Sequence, residues 1–188
     1  MKPLHKLGKY RNLEKLNKIA NNSCFTDKFP KEHNYLNPLY DEYDYSYTLW
    51  ATLGVEWHVD DIYHNRKYSI ILVIESDRYE LYASAVNNKK IEKLLKTNHN
   101  TNFRSIDDQI NSLLAHRKDN QRLIVKTGDI LLLNISCYHK LENTTKTEDP
   151  FVFVTLDIDF IPKIKEAVKV VNYFVHDLCN YFATNEDL

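Results

Sequence analysis

The chain has 188 residues, enough to bury a sizeable core and of a length that fits one domain. Hydrophobic residues make up 43% and charged residues 27%, which sets intrinsic disorder aside in favour of an ordinary globular protein. The net charge of -1, from 25 basic and 26 acidic residues, gives no overall attraction to nucleic acid or to an acidic membrane surface.

In chain order, the N-terminus Met1-Lys2-Pro3-Leu4-His5-Lys6 lacks the apolar stretch of a secretory leader, and no apolar run reaches bilayer length. Cys24, Cys137 and Cys179 are odd in number and far apart, so neither a zinc pattern nor a disulfide framework follows. Free thiols in a cytoplasmic, reducing setting are expected. Asn12 is placed to cap a short helix with Leu13, Leu16 and Ile19 on one face, and Pro30 and Pro38 mark residues 29–38 as loop. Tyr43, Tyr45 and Tyr47 alternate, which predicts a strand or strand pair over 43–53.

Residues 68–74 are short, β-branched and apolar at nearly every position, the pattern of a strand covered on both faces. A turn at 75–78 then leads to 79–86 as its hairpin partner. Residues 87–121 change character. Ile91, Leu94 and Leu95 suit one helix, and Ile106, Ile110, Leu113 and Leu114 another. The apolar content is too small for an independent core, so this is a helical insertion of the kind that serves as a lid or recognition element. Lys89, Lys90, Lys93 and Lys96, with Glu92 among them, read as a solvated helix face. Residues 123–125 and 130–135, joined by a turn at Gly128-Asp129, form the next strand pair, followed by a polar loop at 142–149 and a strand at 151–158. Pro162 opens a C-terminal helix to about 182, with Ile164, Val168, Val171, Val175 and Leu178 on one face.

Chemistry concentrates at Trp57-His58-Val59-Asp60. An imidazole and a carboxylate two residues apart on extended backbone point to the same side and can grip one metal ion. A chain of this composition holds about one His-x-acid by chance, so the context carries the weight. The strand at 68–74 follows the motif, and the run at 130–135 leads to His139. If the two runs lie side by side, His139 supplies a third ligand. Two His and one carboxylate with positions left open suit non-heme Fe(II). Asp61 and His64 lie next to the motif, and Trp50, Trp57 and the tyrosines either line a cleft or pack the core.

This order of elements resembles the 2-oxoglutarate/Fe(II)-dependent dioxygenases over roughly residues 48–159. The matching features are His58, Asp60, the apolar run from Arg66 to Val73, the turn Val125-Lys126-Thr127-Gly128-Asp129, the strand Ile130-Leu131-Leu132-Leu133-Asn134, and His139. The resemblance implies a mainly β double-stranded β-helix, or jelly-roll (cupin-like), core with flanking helices, as a single domain spanning 1–188. It implies a metal triad of His58, Asp60 and His139, with Fe(II) as cofactor and 2-oxoglutarate and O₂ as co-substrates. The default outcome is hydroxylation of a C–H bond of an organic substrate, whether a protein side chain, an amino acid or a nucleobase.

One feature departs from the family. Many members hold 2-oxoglutarate with an Arg on the strand after the second His, whereas Phe151-Val152-Phe153-Val154-Thr155 has no cation. Lys67, Arg66 and Arg78 flank nearby strands, and Lys67 is the first candidate for the missing anchor. The departure keeps two rivals open: a cupin-like metalloenzyme that does not use 2-oxoglutarate, and a non-catalytic jelly-roll binding module.

Overall fold

The computed structural model describes residues 2–22, 32–36, 46–60, 67–76, 78–86, 88–97, 105–146, 148–149 and 151–158, with residues 169, 171–172 and 175–176 near the C-terminus. The strands are β1 (Leu4–Lys9), β2 (Glu32–Leu36), β3 (Ser46–Thr52), β4 (Val55–His58), β5 (Tyr68–Glu75), β6 (Tyr79–Ala83), β7 (Gln121–Val125), β8 (Asp129–Asn134), β9 (His139–Asn143) and β10 (Phe151–Ile158). The helices are α1 (Leu13–Asn22), α2 (Asn88–Thr97) and α3 (Ile106–Ala115). The strands form a six-stranded sheet in the order β1-β8-β5-β10-β3-β2 and a four-stranded sheet in the order β4-β9-β6-β7. All pairings are antiparallel. This is a mainly β jelly-roll core of the double-stranded β-helix kind.

The main core lies between the sheets. Ile71, Val73, Leu131, Leu133 and Phe151 from the large sheet meet Tyr79, Leu81, Ala83, Val125 and Leu141 from the small one. At one end, Tyr79 packs on Phe151 at 5.3 Å between ring centroids, and Phe151 on Phe153 at 4.9 Å. The apolar run of β5 is explained by cover on both faces: alternate residues enter this core while Ile70, Leu72 and Ile74 are buried on the other side. Helix α1 packs over β5, with Leu16 fully buried. Asn12 caps α1 by accepting from the Lys15 amide at 3.2 Å.

The two long apolar runs do lie side by side, Ser69 opposite Leu133 and Ile71 opposite Leu131. The expected hairpins do not form. β5 and β6 belong to different sheets, as do β7 and β8, so each connection crosses between layers. Residues 32–36, read as loop, form β2 against β3, and residues 4–9 add β1 to β8. Tertiary pairing supplies strands there that local alternation does not announce. Near the C-terminus Val171 and Val175 are buried while Lys169, Asn172 and His176 are exposed, and all five are helical. The remainder of the 162–182 helix lies outside the described residues, as do Tyr43 and Tyr45.

Helices α2 and α3 close a second core on the outer face of the small sheet. Trp57 and Val86 meet Ile91, Ile110 and Leu114, with Tyr82, Leu95, Leu113 and Tyr138 packed alongside. The insertion thus borrows a wall from the sheet. Beside this core, Arg122 makes a two-pronged ion pair with the buried Glu80 carboxylate, and the Tyr82 hydroxyl donates to it at 2.5 Å. The Arg122 guanidinium, followed against burial by the Tyr82 hydroxyl, holds the Glu80 carboxyl below its ordinary range. Burial and the Glu80 charge push Tyr82 up to about 12.

The depressed Glu80 pKa contributes stability that is present above its unfolded value of 4.5 and lost as pH falls through the folded value. The raised Tyr82 pKa contributes stability that is present below 10.0 and lost as pH rises through about 12. Thermal unfolding across pH should therefore show a shallower acid limb in Glu80→Gln and a shallower alkaline limb in Tyr82→Phe. The turn before β8 gives a second prediction. Gly128 has φ +86°, and a Cβ there would sit 2.6 Å from the Tyr10 carbonyl, whereas Gly8 has nothing within 4 Å. Denaturant unfolding should show Gly128→Ala destabilised by about 1–3 kcal/mol and Gly8→Ala little changed.

Candidate metal centre

The site begins with a bulge. Val55 pairs with Leu141 and His58 with His139, so β4 uses one residue more than β9 between the two rungs. A one-residue shift reverses which side chains face each side of a sheet. The bulge puts His58 opposite His139, and their rings face each other at 4.2 Å between centroids with a tilt of 57°. Asp60 follows two residues after His58, its amide tied to the Ile135 carbonyl at 3.3 Å. The Asp60 Oδ1 atom lies 3.4 Å from His58 Nε2 and 3.5 Å from His139 Nε2. One ligand atom from each of the three residues lies within 4.8 Å of the other two.

The tautomers follow from the neighbours. His58 Nδ1 is 2.7 Å from the Glu56 carbonyl, and His139 Nδ1 is 3.0 Å from the Cys137 carbonyl. A carbonyl only accepts, so each Nδ1 carries the hydrogen, and in the neutral ring Nε2 is left with a lone pair. Two lone pairs and a carboxylate oxygen then converge with no hydrogen between them. Such a cluster calls for a cation, either a proton or a metal ion. The charge balance shows the same demand. Burial works against charge on His58, but the Asp60 carboxylate and the Glu56 carbonyl outweigh it and raise the imidazole pKa. Burial likewise works against ionised Asp60, but the two imidazoles outweigh it and hold the carboxyl far below its usual range.

The carbonyl bonds to Nδ1 are the orienting partners that metal-bound His residues ordinarily have. The donor set fits a divalent ion of the imidazole-and-carboxylate class, and the half-exposed Asp60 leaves a side open.

The other residues singled out fall in different places. Lys67 is exposed at the site end of β5. Its carbonyl accepts from the Ile135 amide at 3.1 Å, and the Ile135 carbonyl accepts from Asp60. Arg78 stands apart in the turn before β6, at φ 64°. Tyr79 pairs with Asn143 and Ala83 with His139, so Arg78 is more than four residues of strand, roughly 13 Å, from the His139 rung. Arg66, Asp61 and His64 lie outside the described residues. Strand β10 carries no cation at any of its eight positions.

Sequence reasoning left out Ser69 and Tyr138, and left Trp57 between cleft and core, where the structure places it in a core. Ser69, on the same side of β5 as Ile71 and Val73, is 1% exposed, and its hydroxyl has no hydrogen-bond partner among the described residues. Trp57 and Tyr138 immediately precede the two His residues and face the other way, into the second core.

No protein-family model matches the sequence, and no curated protein matches it. Solved structures do share the fold. Apo HygX from Streptomyces hygroscopicus superposes with a TM-score of 0.55 at 9% identity, covering 83% of this chain and 81% of that one. AviO1 from Streptomyces viridochromogenes Tue57 gives 0.51 at 10% identity, covering 86% and 92%. HygX with nickel and 2-oxoglutarate bound gives 0.48 at 10% identity, covering 84% and 82%. At such identities the likeness is one of fold.

Removing a ligand should remove the metal. Calorimetry with Mn(II) is expected to show His139→Ala and Asp60→Ala weakened by about a hundredfold or more, at or beyond the upper end of what losing an orienting partner costs. Retained affinity in both would mean that the ion sits elsewhere.

Proposed function

We propose that the protein is a non-heme Fe(II)- and 2-oxoglutarate-dependent oxygenase that hydroxylates a C–H bond of an organic substrate. The observation that carries this reading is the convergence of His58 Nε2, His139 Nε2 and Asp60 Oδ1, with both Nδ1 atoms committed to backbone carbonyls. Two imidazoles and one carboxylate on one side of an ion leave positions for small ligands. The jelly-roll fold and the order of elements around His58, Asp60 and His139 agree with it. Iron, when bound, supplies the coupling of O₂ reduction to the oxidative decarboxylation of 2-oxoglutarate to succinate and CO₂.

The chain's own part is placement and exclusion. The Glu56 and Cys137 carbonyls hold each imidazole in the tautomer that presents Nε2. Asp60 supplies the negative charge that offsets a divalent ion. The packed rings of Tyr79, Phe151 and Phe153 fill the far end of the barrel. The Ser69 hydroxyl is a buried donor open to a polar ligand group. A carboxylate entering the barrel needs a cation, and among the described residues Lys67 is a cation at the site end of β5. The bare β10 favours a second reading, a cupin-like metalloenzyme on the same triad that does not use 2-oxoglutarate.

Anaerobic titration with Fe(II) and then 2-oxoglutarate, followed by succinate measurement with candidate substrates, separates these readings. The oxygenase binds both and releases succinate. Lys67→Ala should raise the 2-oxoglutarate Kd at least tenfold, about 1.4 kcal/mol, with Fe(II) affinity nearly unchanged. Fe(II) binding without 2-oxoglutarate binding would favour the second reading, and absence of both would leave a non-catalytic module.

A further inference from the structure

We infer that the α2–α3 insertion is the positioning element of the metal centre, acting through Trp57 and Tyr138, the residues immediately before the two facing imidazoles. The inference rests on the metal reading above and deepens it.

The need for such an element is visible in β4. It is a four-residue strand at the edge of the small sheet, joined to β9 at only two register positions with a bulge between them. Ladder hydrogen bonds alone hold this strand weakly, yet it carries the first metal ligand. What fixes it is the side chain pointing the other way. Trp57 is 6% exposed and packs with Val86, Ile91, Ile110 and Leu114, with the Tyr82 ring set edge-on at 6.3 Å. Ile91 comes from α2, and Ile110 and Leu114 come from α3.

The second imidazole is backed in the same manner. Tyr138 packs on the same cluster. That cluster includes Ile91 of α2 and Ile110 and Leu114 of α3, so the ring packs against the insertion. The Tyr138 carbonyl accepts from the Ser84 amide at 2.8 Å. Asn88, the first residue of α2, donates from Nδ2 to the Ser136 carbonyl at 2.5 Å, one residue before the Cys137 carbonyl that orients His139. The insertion therefore packs on the side chain just before each His, and through Asn88 it also holds the backbone at Ser136. A metal site tolerates ligand errors of about half an ångström, so loosening this grip should be read directly at the metal.

The test measures Co(II) affinity, and the visible absorption of the Co(II)-loaded protein, in full-length variants. Trp57→Ala, and Leu114→Ala one layer further from the site, should each weaken Co(II) by about tenfold or more and change the spectrum. Trp57→Phe, which keeps a ring in the cluster, should recover most of the affinity. Val73→Ala lowers stability through the inter-sheet core and should leave affinity and spectrum unchanged. If Trp57→Ala does not fold, Leu114→Ala decides. Wild-type affinity and spectrum in the folded variants, or an equal loss in Val73→Ala, would overturn the inference while leaving the metal reading in place. A wild-type protein that does not take up Co(II) would overturn that reading and this inference together.

Discussion

Two carbonyl oxygens decide the chemistry of this fold. By accepting from Nδ1 of His58 and of His139, the Glu56 and Cys137 carbonyls turn both Nε2 lone pairs towards the Asp60 carboxylate. Three electron-rich atoms then face one another across a few ångströms. Left without a cation this arrangement is repulsive, and the backbone geometry that imposes it is built into β4 and β9. The bulge in β4, the facing register of His58 and His139, and the amide bond from Asp60 to the Ile135 carbonyl all serve the same convergence.

Such a site sits at a mechanical weak point. One of the three converging side chains, His58, lies on a short edge strand. The chain does not lengthen that strand. It thickens the wall behind it with two helices that have too few apolar residues to fold alone. Their apolar faces are completed by Trp57, Tyr82, Val86 and Tyr138 from the strands and the connections between them. Core and site are thereby coupled: residues that stabilise the insertion are the residues that back the imidazoles.

Much of this was legible in the sequence, for reasons that can be stated. The two apolar runs were found because cover on both faces leaves a continuous hydrophobic signal, and their adjacency brought His139 into reach of His58 and Asp60. Helices α1, α2 and α3 were found by their spacing and, at α1, by Asn12. The hairpins were misread because a turn followed by an apolar run looks the same whether the chain folds back in its own sheet or crosses to the other. β1 and β2 were missed because their strand character comes from β8 and β3, far away in sequence. The roles of Trp57 and Tyr138 were invisible for a different reason. Which way a residue beside a bulge points depends on the bulge, and nothing in Val55-Glu56-Trp57-His58 announces one.

The bare β10 fits this picture as well. Phe151 and Phe153 occupy the end of β10 that packs on Tyr79, whose hydroxyl is already engaged with the Asp149 carbonyl at 2.9 Å and the Asn143 amide at 3.2 Å. A guanidinium there would displace rings from a closed aromatic floor and leave a buried charge to be paired. Polar groups collect instead at the opposite end, where Ser69, Asp60 and the two imidazoles lie and where the Lys67 main chain joins the Ile135–Asp60 hydrogen bonds. The aromatic floor and the converging triad therefore stand at opposite ends of the inter-sheet core. In a barrel so divided, a cation reaching in from the rim is the arrangement that leaves the floor intact.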